Sequence, residues 1–276
     1  MKTYATQVPG KVGYSFVAGL LMMLGSGLLA AQSDDTFSEY RDMFGDDNPA
    51  IFVIEEGADF WLQANGPRQV SLEACDLGLG PGVVAGAYAS LPRYFADTGT
   101  VMDLEARLLH CMTELQGRSR PQLLSSSYSG SGGQGTEMEA LVTYIAEQSQ
   151  GVALAVSQKY PQELQAYHLG EEIFFRRAGP YDFSCATCHR QDGKRIRLQE
   201  LPNITAPAGA GFAYSGWPAY RISQGLVRTM GWRMQNCVRQ QRLPQLQPGS
   251  PASVALQVYM GVNAGGVAMA APGLKR

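Results

Sequence analysis

Charge is scarce in this chain and histidine is scarcer. Of 276 residues only 17% are charged, 22 Lys and Arg against 24 Asp and Glu, for a formal net charge of −2. No basic stripe or long run of one sign occurs, which argues against nucleic acid as the main partner. Only three histidines are present, so imidazole chemistry is confined to His110, His168 and His189. The alternating pattern of strands is weak throughout, so the expected fold class is mainly α. What is plentiful is apolar surface. Hydrophobic residues make up 45% of the chain, enough to pack one large or two ordinary domains and to exclude general disorder.

The N-terminus reads as an address, not as part of the fold. Lys2 and Lys11 precede the uncharged stretch VGYSFVAGLLMMLGSGLLAA, followed by the acidic SDD. A positive start, an apolar run and small residues Ala30 and Ala31 predict a cleaved export signal over residues 1–31. The competing reading is a retained membrane anchor, because the run nearly spans a bilayer. Export implies the periplasm, an oxidising compartment.

The shortest informative string is FSCATCHRQ, residues 183–191. Cys185, Cys188 and His189 form C-x-x-C-H, the attachment signature of a c-type haem. The two thiols add to the porphyrin vinyl groups, and the histidine ligates the iron from one face. What lies on the other face decides what the iron can do. No second C-x-x-C-H exists, so one haem c is expected.

Five cysteines are present. With two given to the haem, Cys75, Cys111 and Cys237 remain, an odd number where free thiols rarely persist. One pair should be a disulfide. An internal repeat chooses among the pairings. Residues 91–112, LPRYFADTGTVMDLEARLLHCM, align without gaps on residues 217–238, WPAYRISQGLVRTMGWRMQNCV, at a constant offset of 126. Pro92, Tyr94, Gly99, Val101, Arg107 and Cys111 match Pro218, Tyr220, Gly225, Val227, Arg233 and Cys237, and further on Tyr144 faces Tyr259. A duplication follows: residues 32–153 form a cytochrome c-like domain without haem and residues 154–276 one with it. A Cys75–Cys111 disulfide is then expected to stand in for the haem of the first domain, contributing about 3–4 kcal/mol through loop closure.

Helices are predicted where Met138, Leu141, Val142 and Ile145 recur at one face, and likewise Ala255, Val258, Tyr259 and Val262, the latter after Ser250 as N-cap and Pro251 at the first position. For the second iron ligand the candidates are Met230, Met234, His168, Cys237 and water. His110 lies in the half without a haem motif. Cys237 stands among Arg233, Arg239 and Arg242, and Arg233 shares its helical face. A cation beside a thiol favours thiolate, the form that ligates iron or attacks as nucleophile. A periplasmic electron carrier with His/Met ligation is the alternative function at this point.

The strings CDLGLGPG, LPRYFADTG, VMDLEARLLHCM, CATCH and MGWRMQNCVRQ resemble the SoxA family, catalytic cytochrome subunits of bacterial sulfur oxidation, and its mono-haem branch in particular. The resemblance implies His189 and Cys237 as axial ligands, Cys185 and Cys188 as thioether anchors, Arg233 as the active-site cation, and a persulfide on Cys237. It implies L-cysteine S-thiosulfotransferase activity: oxidative conjugation of thiosulfate to the carrier-arm cysteine of SoxYZ. The implied partners are a SoxX cytochrome subunit in a heterodimer, SoxYZ, and a small cytochrome c as electron acceptor.

Overall fold

The computed structural model of the chain describes residues 48–127, 135–196 and 199–276. The expected export signal, residues 1–31, lies outside the described residues. The first half runs α1 (Ala50–Leu62), a hairpin of β1 (Arg93–Phe95) and β2 (Thr100–Met102), α2 (Leu104–Glu114), α3 (Arg120–Ser127) and α4 (Glu137–Glu147). The second runs α5 (Pro161–Phe175), α6 (Cys185–His189), a small hairpin of β3 (Arg195–Ile196) and β4 (Gln199–Glu200), α7 (Pro207–Tyr214), β5 (Ala219–Arg221), β6 (Leu226–Arg228), α8 (Met230–Gln240), α9 (Pro251–Asn263) and β7 (Gly273–Lys275). The fold is mainly α, built from two cytochrome c-like halves.

Each half is framed by its first and last long helices, α1 on α4 and α5 on α9. The apolar periodicity read from the sequence forms the buried faces. Met138, Leu141, Val142 and Ile145 of α4 are inaccessible or nearly so, as are Ala255, Val258 and Tyr259 of α9. Caps fix where these helices start. Thr136 and Glu139 close a capping box on α4, and Ser250 accepts from Ser253 N at 3.3 Å ahead of Pro251 on α9.

Both crossings are made possible by a glycine. A Cβ at Gly57 of α1 would run into the Ala140 carbonyl and the Tyr144 side chain; a Cβ at Gly170 of α5 would run into the Ala255 carbonyl and the Tyr259 side chain. Glycine costs a helix about 1 kcal/mol relative to alanine. Here it lets two backbones touch, and the same device appears in each half.

The repeat at offset 126 is a hairpin leading into a helix. Arg93 pairs with Met102 as Ala219 pairs with Arg228. The turns need Gly99 and Gly225, both at φ +67°. Asp103 caps α2 and Thr229 caps α8. These strands escaped the sequence reading because three residues are too short to display an alternation. In the second half β7 adds a parallel third strand beside β5.

The halves exchange contacts. Glu163 of α5 accepts from Tyr94 N at 2.9 Å, and Gln257 of α9 donates to Asp103. In the other direction Arg228 pairs with Glu139 of α4 at 2.8 Å, the two side chains only 7% and 4% exposed. Thr229 donates to Glu105 at 2.8 Å. Each hairpin thus docks on the other half's helices. Asp103, Glu105 and Glu139 converge at this junction, all buried, with Arg228 as the cation that pairs there. A cavity of about 10 Å³ beside Asp103, Glu105, Thr229 and Gln257 has room for one water.

Two tests follow from this packing. Gly170→Ala should destabilise the protein by roughly 1–3 kcal/mol in a denaturant titration, because the added methyl overpacks the crossing. Burial first, then the neighbouring Asp103 charge, raise Glu105 from 4.5 to about 8. The folded state therefore holds a proton that the unfolded chain releases at lower pH. Its stabilising effect is complete below 4.5 and lost as pH rises through about 8. Calorimetry across pH 5 to 9 should show Glu105→Gln losing less stability than the wild type.

Candidate functional site

Helix α6 is a single short turn carrying the C-x-x-C-H string, and Ser184 caps it by accepting from Thr187 N at 3.2 Å. His189 is oriented by its backbone neighbours. Its Nδ1 lies 2.9 Å from the Pro202 carbonyl, and its own carbonyl accepts from Ile204 N at 2.8 Å. With Nδ1 engaged as donor, Nε2 keeps its lone pair for a metal. Burial lowers the His189 pKa and the Arg233 charge lowers it further, against the Pro202 hydrogen bond. The ring is therefore neutral, as a ligand must be.

Helix α8 carries Cys237 and Arg233 close enough to α6 for their charges to act on it. The electrostatic reach of each group shows the convergence. Cys185 is pushed up to about 12, by burial first and then by Cys237 and Cys188. Cys237 feels Arg233 and Cys188, and Arg233 also acts on His189. All three cysteines are free and half-buried. The expected effect of Arg233 on Cys237 is present but loses to a larger one. Burial raises the thiol and Arg233 only partly offsets it. A thiol in that setting gives up its proton on binding a metal, not before.

These residues fit a covalently attached haem c. Two thiols on one turn would anchor it, His189 Nε2 keeps a lone pair that would ligate its iron, and Cys237 of α8 lies within electrostatic reach of the same turn. The other candidates sort themselves. His168 projects from α5 with a side chain 71% exposed, beside Glu171. His110 lies 3.9 Å from Asp97 in the first half. Met230 and Met234 are buried on α8, on the helix that also carries Cys237.

The first half shows what the same scaffold does without the haem motif. A shift of 113 residues carries the Asn65–Val70 bridge onto Ala178–Phe183. It carries the left-handed residues Gly66 and Gln69 onto Gly179 and Asp182, and the cap Ser71 onto Ser184. In that register Leu72 stands where Cys185 does, Cys75 where Cys188 does, and Asp76 where His189 does. Cys75 and Cys111 are joined, with Cα atoms 5.7 Å apart. The disulfide therefore links the counterparts of Cys188 and Cys237. The shift grows from 113 to 126 between α6 and β5, so the second half has 13 extra residues there, among them the β3–β4 hairpin. Sequence comparison of the halves missed this register because its matches are backbone conformations more than side chains.

Comparison with known proteins agrees with this architecture. The family model described as SoxA/TsdA, cytochrome c domain, matches residues 56–154, the half that lacks C-x-x-C-H. The chain is 47% identical over 266 residues to the L-cysteine S-thiosulfotransferase subunit SoxA of Hydrogenophilus thermoluteolus, covering 93% of this chain and 97% of that one. It is 32% identical to a protein of the same name from Hydrogenobacter thermophilus, covering 83% and 82%. The crystal structure of SoxXA from P. pantotrophus superposes with a TM-score of 0.70 at 28% identity, over 87% of this chain and 84% of that one.

Proposed function

The chain belongs to the SoxA family of L-cysteine S-thiosulfotransferase subunits, and on that footing we propose that Cys237 and Arg233 carry out its sulfur transfer beside a haem anchored at Cys185 and Cys188. It is an enzyme of thiosulfate oxidation. In this reading residues 1–31 direct export to the periplasm, residues 32–153 are the scaffold half, and residues 154–276 carry one haem c. The chain works as a heterodimer with a SoxX cytochrome.

The reaction joins thiosulfate to the carrier-arm cysteine of SoxYZ. One S–S bond forms, between the carrier sulfur and the sulfane sulfur of thiosulfate. The carrier thiol loses its proton, and two electrons leave. When bound, the haem supplies the exit for those electrons toward the SoxX haem and a small cytochrome c.

Each residue has a physical task. His189, neutral and held by the Pro202 carbonyl, would ligate the haem iron through Nε2. Arg233 presents a planar fork that binds an oxyanion through two hydrogen bonds. Cys237 lies one helical turn from Arg233, so an anion held there has its sulfane end near the thiol sulfur. That sulfur is a soft nucleophile able to bond the sulfane sulfur of intact thiosulfate with loss of two electrons, and to leave again as thiolate when the carrier sulfur takes its place. What supports this reading above all is that Cys237, at the repeat position of a disulfide cysteine, is instead unpaired and within electrostatic reach of Cys185.

The test is an anaerobic reaction of the haem-loaded heterodimer with thiosulfate and SoxYZ, followed by mass analysis of the carrier peptide. A thiosulfonate adduct is expected, and its absence refutes the reading. Cys237→Ala should abolish the adduct and change the haem absorbance, and full activity in that variant would remove Cys237 from the chemistry. Arg233→Ala should raise the KM for thiosulfate by about 10- to 100-fold, the loss of a charge-assisted hydrogen bond.

A further inference from the structure

The two halves hold the same arginine in opposite electrostatic surroundings. In the first half Arg107 is paired with a carboxylate, a carbonyl and a ring. Its Nη1 binds Asp97 Oδ2 at 2.7 Å and its Nε binds the Asp76 carbonyl at 2.7 Å. Its guanidinium also lies 4.2 Å from the centre of the Phe95 ring. Both side-chain partners are replaced in the second half. At offset 126 Arg107 becomes Arg233, Asp97 becomes Ser223 and Phe95 becomes Arg221; at offset 113 Asp76 becomes His189. The carboxylate has gone, and an aromatic face has become a second cation.

Arg221 is rigidly placed. It ends β5, the central strand of its sheet, opposite Leu226 of β6 and beside Lys275 of β7. Its Nε is buried and has no hydrogen-bond partner. Among the described residues neither Arg221 nor Arg233 has a salt bridge. Burial, then the charge of Arg233, lower Arg221 to about 10, so it remains a cation at neutral pH. In the first half the side chains at the matching positions, Phe95 and Arg107, are in contact, so the repeat sets the two guanidinium groups side by side, and without a carboxylate to pair them their repulsion is a standing cost. A fold that wanted only packing has the solution already in its first half.

We propose that Arg221 is a second anion-binding residue of this site, forming with Arg233 a paired-guanidinium cradle for the oxyanion end of a divalent sulfur oxyanion. The identity of that oxyanion as thiosulfate rests on the function proposed above. The cradle discriminates by charge. A dianion relieves the repulsion of both cations at once, whereas a monoanion relieves half of it. With two forks gripping the sulfonate oxygens, the sulfane sulfur is left free to turn toward Cys237.

The experiment uses the haem-loaded heterodimer with Arg221→Gln and Arg221→Lys. Thiosulfate and unreactive sulfate are titrated into the oxidised protein, with binding followed calorimetrically, and thiosulfate turnover is measured alongside. In Arg221→Gln the affinity for both dianions and the KM for thiosulfate should each weaken by about 10- to 100-fold. The kcat should change much less, Arg221→Lys should recover part of the loss, and haem absorbance and midpoint potential should stay as in the wild type. Unchanged dianion affinity overturns the proposal. So does a shifted potential or loss of haem with affinity retained, which would make Arg221 the partner of a haem propionate. If the wild type binds thiosulfate but never conjugates it, the proposed function falls and the cradle stands.

Discussion

The ion pair between Arg228 and Glu139, buried between the halves, is the constraint on which the site depends. Its side chains lie 2.8 Å apart and almost beyond reach of solvent. A buried pair of this kind adds little net stability, because both ions were desolvated to form it. Breaking it is another matter, since one charge would remain buried alone. The pair therefore acts less as glue than as a lock on geometry. Arg228 ends β6, and β6 leads through Thr229 into α8. The strand that fixes the docking angle thus also aims the helix bearing Arg233 and Cys237.

The duplication makes the chemistry legible by contrast. Both halves share the glycine-mediated helix crossing, the hairpin and the capped helix. One half spends its repeat cysteine in a crosslink and surrounds its arginine with a carboxylate, a carbonyl and a ring. The other leaves the cysteine unpaired and gives the arginine a companion of like charge. Crosslinked and open are here alternatives at matching positions, and the second half has taken the open one at each.

Much of this could be read from sequence. C-x-x-C-H needs no fold to be recognised, and the Cys75–Cys111 pairing followed from cysteine parity and the repeat. The faces of α4 and α9 were visible because 3.6-residue periodicity persists over three turns. The hairpins were hidden by their brevity. Gly57 and Gly170 read as weak points in helices until the opposing carbonyls are seen. Arg221 aligns with a phenylalanine, so no identity drew attention to it. The pull of Arg233 on Cys237 is legible in sequence, while the burial that outweighs it is not, because no local string reports depth. Glu105 and Glu139 look like ordinary helix-surface acids in sequence; their burial is a property of how the halves meet.

The Cys75–Cys111 crosslink has a consequence for the order in which the molecule matures. The first half emerges first and can be closed by an oxidant alone, through a loop of 36 residues. Once closed, it offers the Glu139 carboxylate and the α4 surface as a finished template. The second half must wait for haem attachment at α6, but its hairpin and α8 have a surface to dock on before that event. A chain caught before haem loading would then be half native rather than unfolded.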